Sequence, residues 1–207
     1  EQQPAELYQA LFFQLLARCK GMPGQHAFRF KNPLYSLDAS TIDLSLKLFP
    51  WASYRDDEAS VKLSVGLNHG TLVPEFVALG DGQENDMVQG RCFDFPRGSI
   101  VAFEKGSVVY QCFKSLTNKG FFFVTRLRAK AVYSVQERRP VPASSTVTSD
   151  EVIQLSSAHA LKRGAPLLRR VGYCCPQTGK NYEFLTNHFG LAAATIAAIY
   201  KDRWQVE

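Results

Sequence analysis

The sequence has few of the residues that mark secreted, zinc-binding or membrane-spanning proteins. Its five cysteines are odd in number, and no two of them form a Cys-x-x-Cys pair. This pattern indicates neither a disulfide framework nor a zinc site, so we expect reduced thiols in a cytoplasmic protein. No apolar run reaches the roughly 18 residues of a membrane-spanning helix, and no signal peptide is present. We therefore predict no contact with a membrane.

Acidic residues are scarce in the middle of the chain. Residues 105–180 contain 13 basic side chains and 3 acidic ones, whereas residues 1–104 contain 9 basic and 13 acidic ones. The whole chain has a formal net charge of +5. A basic block of this kind favours a polyanionic partner, above all nucleic acid. The alternative is a solvated basic face that binds nothing.

Hydrophobic patterning in the first half predicts an α/β protein. Residues 5–19 have leucines near helical spacing and predict an amphipathic helix. Three strand-like segments follow and predict an antiparallel meander, at residues 34–46, 60–67 and 71–79. The next segment predicts a β-α-β unit with parallel strands. It consists of a continuous apolar run at 99–103, a helical segment at 107–118 and a second apolar run at 121–124.

The segment from residue 129 to residue 186 is richer in strands. It contains four strand-like pieces and a turn at residues 176–179, which predict a β-rich insertion outside the central sheet. Six basic side chains within it are expected to form a surface that faces DNA: Arg138, Arg139, Lys162, Arg163, Arg169 and Arg170. A final helix is predicted to begin near Leu191.

The end of that helix places charge on its apolar face. Ile196, Tyr200, Arg203 and Glu207 are spaced so that all four share one side of a helix. A buried guanidinium and carboxylate are costly unless they are paired or bind a metal. The pattern therefore indicates either an ion pair at the helix end or a metal-binding site.

Three carboxylates are candidate metal ligands. Asp38 lies inside an apolar stretch, Glu104 follows the buried strand 99–103, and Glu207 lies on the inner face of the last helix. Oxygen donors from rigid elements suit Mg²⁺, and two such ions can activate an attacking hydroxyl and stabilise the leaving oxygen of a phosphodiester. The alternatives are a strand-end cap for Asp38 and a turn residue for Glu104.

Two motifs carry a resemblance to a known family. The segment Leu34-Tyr-Ser-Leu-Asp38-Ala-Ser-Thr-Ile-Asp43 resembles the first acidic motif of the DDE transposases of bacterial insertion sequences. Tyr200, Arg203 and Glu207 are similar to the Tyr-Arg-Glu signature of their insertion-sequence-four family. Shorter similarities occur at Leu185-Thr-Asn187 and Phe49-Pro-Trp51. The resemblance extends over almost the whole chain.

The resemblance implies an RNase-H-like mixed sheet with flanking helices and a β-rich insertion before the last acidic helix. The implied units are a helical segment at 1–33, the core at 34–128, the insertion at 129–186 and a truncated catalytic helix at 187–207. Asp38, Glu104 and Glu207 would bind two Mg²⁺ ions, with Mn²⁺ as a substitute. Tyr200, Arg203 and Lys105 would contact DNA.

The implied partner is double-stranded DNA, at the element ends and at the target, bound by a dimer at the bacterial nucleoid. One departure is that the family usually has Asp where this chain has Glu104, a side chain longer by roughly 1.5 Å. This departure leaves open a decayed remnant that only binds DNA. A nuclease for RNA–DNA hybrids is a third hypothesis, which the Tyr-Arg-Glu pattern disfavours. Because the chain starts at Glu1 and stops at Glu207, we expect a fragment.

Overall fold

A computed structural model describes residues 4–19, 24–48, 53–55, 58–81, 94–104, 110–143, 145–162 and 164–203. Within these ranges, a ten-stranded mixed sheet runs through the molecule, with helices packed on both of its faces. No helix in the described part is long and apolar enough to cross a membrane.

The first half of the chain forms the predicted meander. Strands β1 (Leu34–Leu44), β3 (Glu58–Asn68) and β4 (Val73–Asp81) pair antiparallel, and the short β2 (Ser53–Arg55) extends the same edge of β3 as β4 does. Helix α1 has the predicted bounds, Ala5–Cys19, and packs beside β4.

The β-α-β unit is also confirmed. Strand β5 (Ile100–Phe103) runs parallel to β1 on one side and to β6 (Phe122–Arg126) on the other, and helix α2 (Tyr110–Asn118) connects β5 to β6. All four side chains of β5 are buried, as expected for a strand covered on both faces. The order β4-β3-β1-β5-β6 is that of the RNase-H-like fold.

The segment 129–186 has the four predicted strands, but it is not separate from the central sheet. Strands β7 (Tyr133–Arg138), β8 (Val147–Leu155), β9 (Leu167–Cys174) and β10 (Asn181–Thr186) are antiparallel neighbours, with a short helix α3 (Ala158–Lys162) between β8 and β9. Strand β10 then pairs antiparallel with β6 and so continues the sheet. The prediction of an insertion outside the sheet is therefore wrong, while the division of the chain at these bounds stays a prediction.

The physical reason for this pairing lies at the end of β10. Without β10, β6 would be an edge strand with unpaired backbone groups. The Thr186 hydroxyl donates to the carbonyl oxygen of Phe123. The Asn187 side chain accepts from the Phe123 amide and donates to the Phe121 carbonyl, both at 2.9 Å. These side chains join β10 to β6 over a sequence separation of more than sixty residues.

The last helix, α4 (Ala193–Asp202), covers one face of the sheet. Ile196, Ile199 and Tyr200 are buried there in the same core cluster as Leu34 and Ile100. Helices α2 and α3 pack on the opposite face, against the second core cluster. Helix α4 therefore crosses the side of the sheet onto which alternate residues of β1 and β5 project.

Candidate active site

Asp38 and Glu104 lie side by side where the parallel pairing of β1 with β5 ends. Leu34 of β1 and Ile100 of β5 are in register and both belong to the core cluster beneath α4. Because side chains alternate between faces, Asp38 and Glu104 project on that same face. They come one position after the last paired residues, Leu37 and Phe103, so the two carboxylates are neighbours.

The guanidinium of Arg203 bridges these two carboxylates from the end of α4. Its Nη1 lies 3.1 Å from Asp38 Oδ1, and its Nη2 lies 3.4 Å from Glu104 Oε2. Arg203 is only 3% exposed, whereas the side chains of Asp38 and Glu104 are 26% and 37% exposed. Since guanidinium C–N bonds are about 1.3 Å long, the two bonded oxygens are within about 9 Å of one another.

Tyr200 holds Glu104 from the same face of α4. Its hydroxyl donates to Glu104 Oε2, and the guanidinium carbon of Arg203 lies 5.5 Å from the centre of its ring. Burial raises the pKa of Tyr200 well above its ordinary value, and the hydrogen bond and charge of Glu104 raise it further. The hydroxyl therefore keeps its proton and acts as a donor. Tyr200 and Arg203 face the protein as predicted.

Arg126 also belongs to this face, although it was not predicted as a site residue from the sequence. Arg126 ends β6, two positions after Val124, which is buried in the core cluster beneath α4. Its guanidinium carbon lies 5.1 Å from the ring centre of Tyr182, and its charge acts to lower the pKa of Tyr200. Alternation along β6, counted from the apolar run, would have placed it on the side of Glu104.

A second missed group lies behind the carboxylates. His69 Nε2 is 2.6 Å from the Ser36 hydroxyl oxygen, and His69 Nδ1 is 2.8 Å from Asp202 Oδ2. Asn68-His69-Gly70 is predicted from sequence only as a turn, and no local pattern links His69 to Asp202 at a separation of 133 residues. These three side chains connect β1, the turn after β3 and the end of α4.

Comparison with known proteins decides the family. Residues 29–207 match the family model described as the transposase DDE domain. The chain belongs to the family of DDE-domain transposases. A protein of Sinorhizobium fredii named as a transposase is 29% identical over 83% of this chain and 48% of its own length. The transposase named for insertion sequence element IS5377 of Geobacillus stearothermophilus is 24% identical over 99% of this chain and 53% of its own.

The chain thus spans about half the length of the curated relatives it matches. Among solved structures, the piggyBac transposase synaptic complex with hairpin DNA matches 94% of this chain and 41% of its own, with a TM-score of 0.47 and 11% identity. The narrower placement of this transposase domain in the insertion-sequence-four family stays a prediction.

One predicted DNA contact of the transposase domain is wrong. Arg169 is 2% exposed, and its Nε and Nη2 donate to the two oxygens of Asp150 at 2.8 and 2.7 Å. Its Nη1 donates to backbone carbonyls in the loop before α4, including Leu191 O at 2.6 Å. Strand alternation turns Arg169 inward and its neighbour Arg170 toward the opposite face. Arg169 therefore holds the loop and has no surface for a phosphate.

The other basic side chains of β7 to β9 differ in how they are engaged. Arg170 is half-buried between Glu151 and Glu183 and lies over the Tyr133 ring. Arg139 donates to the Phe189 carbonyl at 2.9 Å. Arg138 is 82% exposed at 3.5 Å from Glu151, and Lys162 is exposed. Contact of these four with DNA stays a prediction.

Several predicted residues lie outside the described part: Lys105, Arg163, Glu207 and the segment Phe49-Pro-Trp51. Within the described ranges, no three acidic, histidine or cysteine side chains are close enough to hold a metal ion. Asp38 and Glu104 nevertheless supply two adjacent hard oxygen donors that already share one cationic partner, Arg203. This donor set fits a divalent cation such as Mg²⁺ better than a soft metal.

Proposed function

We propose that this chain is the catalytic core of an insertion-sequence transposase that cuts DNA phosphodiesters and joins strands with the help of divalent metal ions. The observation that carries the proposal is the meeting of Asp38 and Glu104 beneath Tyr200 and Arg203. A carboxylate pair next to a protonated hydroxyl and a guanidinium can serve a metal and a phosphate at the same place.

Asp38 and Glu104 are the proposed metal ligands, and Glu207, four residues after Arg203 in the sequence, is the proposed third. Mg²⁺, or Mn²⁺ in its place, would supply an activated hydroxyl and stabilise the leaving oxygen. Tyr200 orients the Glu104 carboxylate, which suits the longer side chain at this position. That hydrogen bond supports a working site in which Glu replaces the usual Asp.

Arg126 is the proposed phosphate contact of the site, because Arg203 is 3% exposed and bonded to Asp38 and Glu104. The Arg126 guanidinium lies on the α4 face and its charge acts on Tyr200. Its forked donors can bind a phosphate bidentately, which positions a strand for attack. Its stacking on the Tyr182 ring restricts its motion before DNA binds. Contact of Tyr200 and Arg203 with DNA stays a prediction.

The proposed substrate is double-stranded DNA, at the element ends and at the target, bound by a dimer at the bacterial nucleoid. Arg138, Arg139, Lys162 and Arg170 are proposed to follow the phosphate backbone away from the cut, together with Lys105 and Arg163. Contacts of this kind position a duplex without reading its sequence. The net positive charge of the middle of the chain supports this part of the proposal.

Nicking of supercoiled plasmid DNA tests the proposal. The parent chain should nick the plasmid with Mn²⁺ or Mg²⁺ and not with EDTA. Asp38→Asn and Glu104→Gln should each abolish nicking while plasmid binding in a gel-shift assay is kept. Asp43→Asn is the matched control, because Asp43 is an exposed carboxylate on the same strand. A parent that binds plasmid and never nicks it, with either metal, would indicate a decayed remnant.

A further inference from the structure

Three polar side chains from distant segments form a chain of hydrogen bonds inside the transposase domain. Ser36 comes from β1, His69 from the turn after β3, and Asp202 from the end of α4. The two bonds measure 2.6 and 2.8 Å and span sequence separations of 33 and 133 residues. We call this group the Ser36–His69–Asp202 clamp.

The clamp has the residue types of a hydrolytic triad, but its burial excludes that chemistry. Ser36 is 0% exposed and His69 is 4% exposed, so no substrate can reach the hydroxyl. A nucleophilic serine needs space for an acyl group and for donors to its oxyanion. The clamp therefore has a structural role inside the protein and does not act on a substrate.

The hydrogen-bond partners of His69 determine which of its ring nitrogens carries the proton. The Asp202 carboxylate only accepts hydrogen bonds, so His69 Nδ1 carries the proton. Burial lowers the pKa of His69, although Asp202 acts in the opposite direction. The ring is therefore neutral near pH 7, and its Nε2 accepts from the Ser36 hydroxyl. Each of the three side chains has one defined role in the clamp.

The position of the clamp connects it to the site. Ser36 precedes Asp38 by two residues on the same face of β1, and Asp202 immediately precedes Arg203. The clamp therefore closes the contact between β1 and α4 next to the ion pair of Arg203 with Asp38. We propose that His69 is a positioning residue that fixes the last turn of α4 against β1, and so fixes the Arg203 guanidinium between Asp38 and Glu104.

The geometry of α4 explains why such a residue is needed. Within the described residues, α4 spans Ala193–Asp202, and Arg203 follows it as the C-cap. Terminal turns of short helices fray, because their last carbonyls lack intrahelical partners. A displacement of about 1 Å in a group that positions substrate can cost about a hundredfold in rate. The clamp anchors the turn where such a displacement would matter, and this consequence rests on the proposed function.

Two substitutions of Asp202 separate the clamp from a simple charge effect. Asp202→Ala removes the acceptor for His69, and kcat for Mn²⁺-dependent plasmid nicking should fall about 10- to 100-fold, with KM for DNA changed less than about threefold. Asp202→Asn keeps an oxygen that accepts from Nδ1, so it should restore at least half of the parental kcat. If both variants keep parental kcat, or if both lose it equally, the clamp does not position Arg203.

Thr186→Val is the control for loss of a buried hydrogen bond away from the site. Among the described residues, the Thr186 hydroxyl donates to the Phe123 carbonyl of β6 and accepts from the His188 amide just after β10. Its loss should lower stability without lowering kcat. If Thr186→Val reduces kcat as Asp202→Ala does, general destabilisation explains both and the proposal is wrong.

A spectroscopic test does not depend on activity. In ¹⁵N-edited NMR of the parent chain, His69 should be the Nδ1–H neutral tautomer, and the Arg203 Nε–H signal should be in slow exchange. Asp202→Ala should broaden or shift the Arg203 signal, and Asp202→Asn should restore it. An Nε2–H tautomer, or an Arg203 signal unaffected by Asp202→Ala, would overturn the inference. Failure of Asp38→Asn to stop nicking would instead overturn the proposed function and leave the NMR result standing.

Discussion

Removing the charge of Arg203 should destabilise the protein and make its stability depend on divalent metal. Arg203→Met keeps most of the side-chain stem but leaves Asp38 and Glu104 without the cation that lies 3.1 and 3.4 Å from them. The two carboxylates then repel one another across a partly buried site. Added Mn²⁺ should relieve this repulsion in the variant, because a divalent cation can replace the positive charge of the guanidinium between the two carboxylates.

The magnitude follows from the burial of the three side chains. Exposed ion pairs contribute about 0.2–1 kcal/mol, and breaking a fully buried pair costs about 3–5 kcal/mol. Arg203 is buried but its partners are 26% and 37% exposed, so an intermediate loss of about 2 kcal/mol is expected. For a chain of this size, that loss corresponds to a fall in Tm of about 4–8 °C.

Differential scanning fluorimetry with and without millimolar Mn²⁺ measures both effects. The rise in Tm on adding Mn²⁺ should be larger for Arg203→Met than for the parent. Arg138→Met is the control, because Arg138 is 82% exposed and its loss should change stability by less than about 0.5 kcal/mol. If Arg203→Met unfolds at the parental Tm, or if Mn²⁺ raises the Tm of both proteins equally, Arg203 does not neutralise the two carboxylates.

Arg169→Met should cost about 3–5 kcal/mol in urea unfolding, because it leaves the buried Asp150 carboxylate without its bidentate partner; a loss below about 1 kcal/mol would contradict the buried ion pair. Burial lowers the pKa of His69 and of His188, so the folded state binds fewer protons than the unfolded chain. The stability that these rings contribute is present above about pH 6.5 and is lost as the pH falls through their folded pKa values. In urea titrations at a series of pH values, His69→Gln should reduce the decrease in unfolding free energy on acidification. Arg126→Gln should reduce the slope of log K against log salt for plasmid binding by about 1 and leave Tm within about 2 °C of the parent; an unchanged slope would remove Arg126 from the DNA contacts.

Local pattern was enough to predict the elements that hold the site. The four consecutive apolar residues of β5 are typical of a strand buried on both faces. The spacing of Ile196, Tyr200 and Arg203 matches the helical repeat, so their common face could be read from the sequence. Parallel pairing of β1 with β5 then brings Asp38 and Glu104 together, because each comes one residue after the last pair in the register, Leu37 and Phe103.

Contacts between distant segments could not be predicted in this way. The pairing of β10 with β6 depends on Asn187 and its bonds to residues more than sixty positions away. The adjacent Arg169 and Arg170 look equivalent in sequence, yet strand alternation buries one against Asp150 and places the other on the opposite face. His69 lacks any neighbour in sequence that would reveal its bond to Asp202.

In the proposed mechanism, Asp38 and Glu104 together bind a divalent metal ion. Titration of the parent chain with Mn²⁺, followed by the loss of the free Mn²⁺ signal in electron paramagnetic resonance, measures this directly. Mn²⁺ should bind saturably to the parent chain, with an affinity that falls at least about tenfold in Asp38→Asn and in Glu104→Gln and is unchanged in Asp43→Asn. Equal Mn²⁺ affinity in the parent, Asp38→Asn and Glu104→Gln would contradict this mechanism.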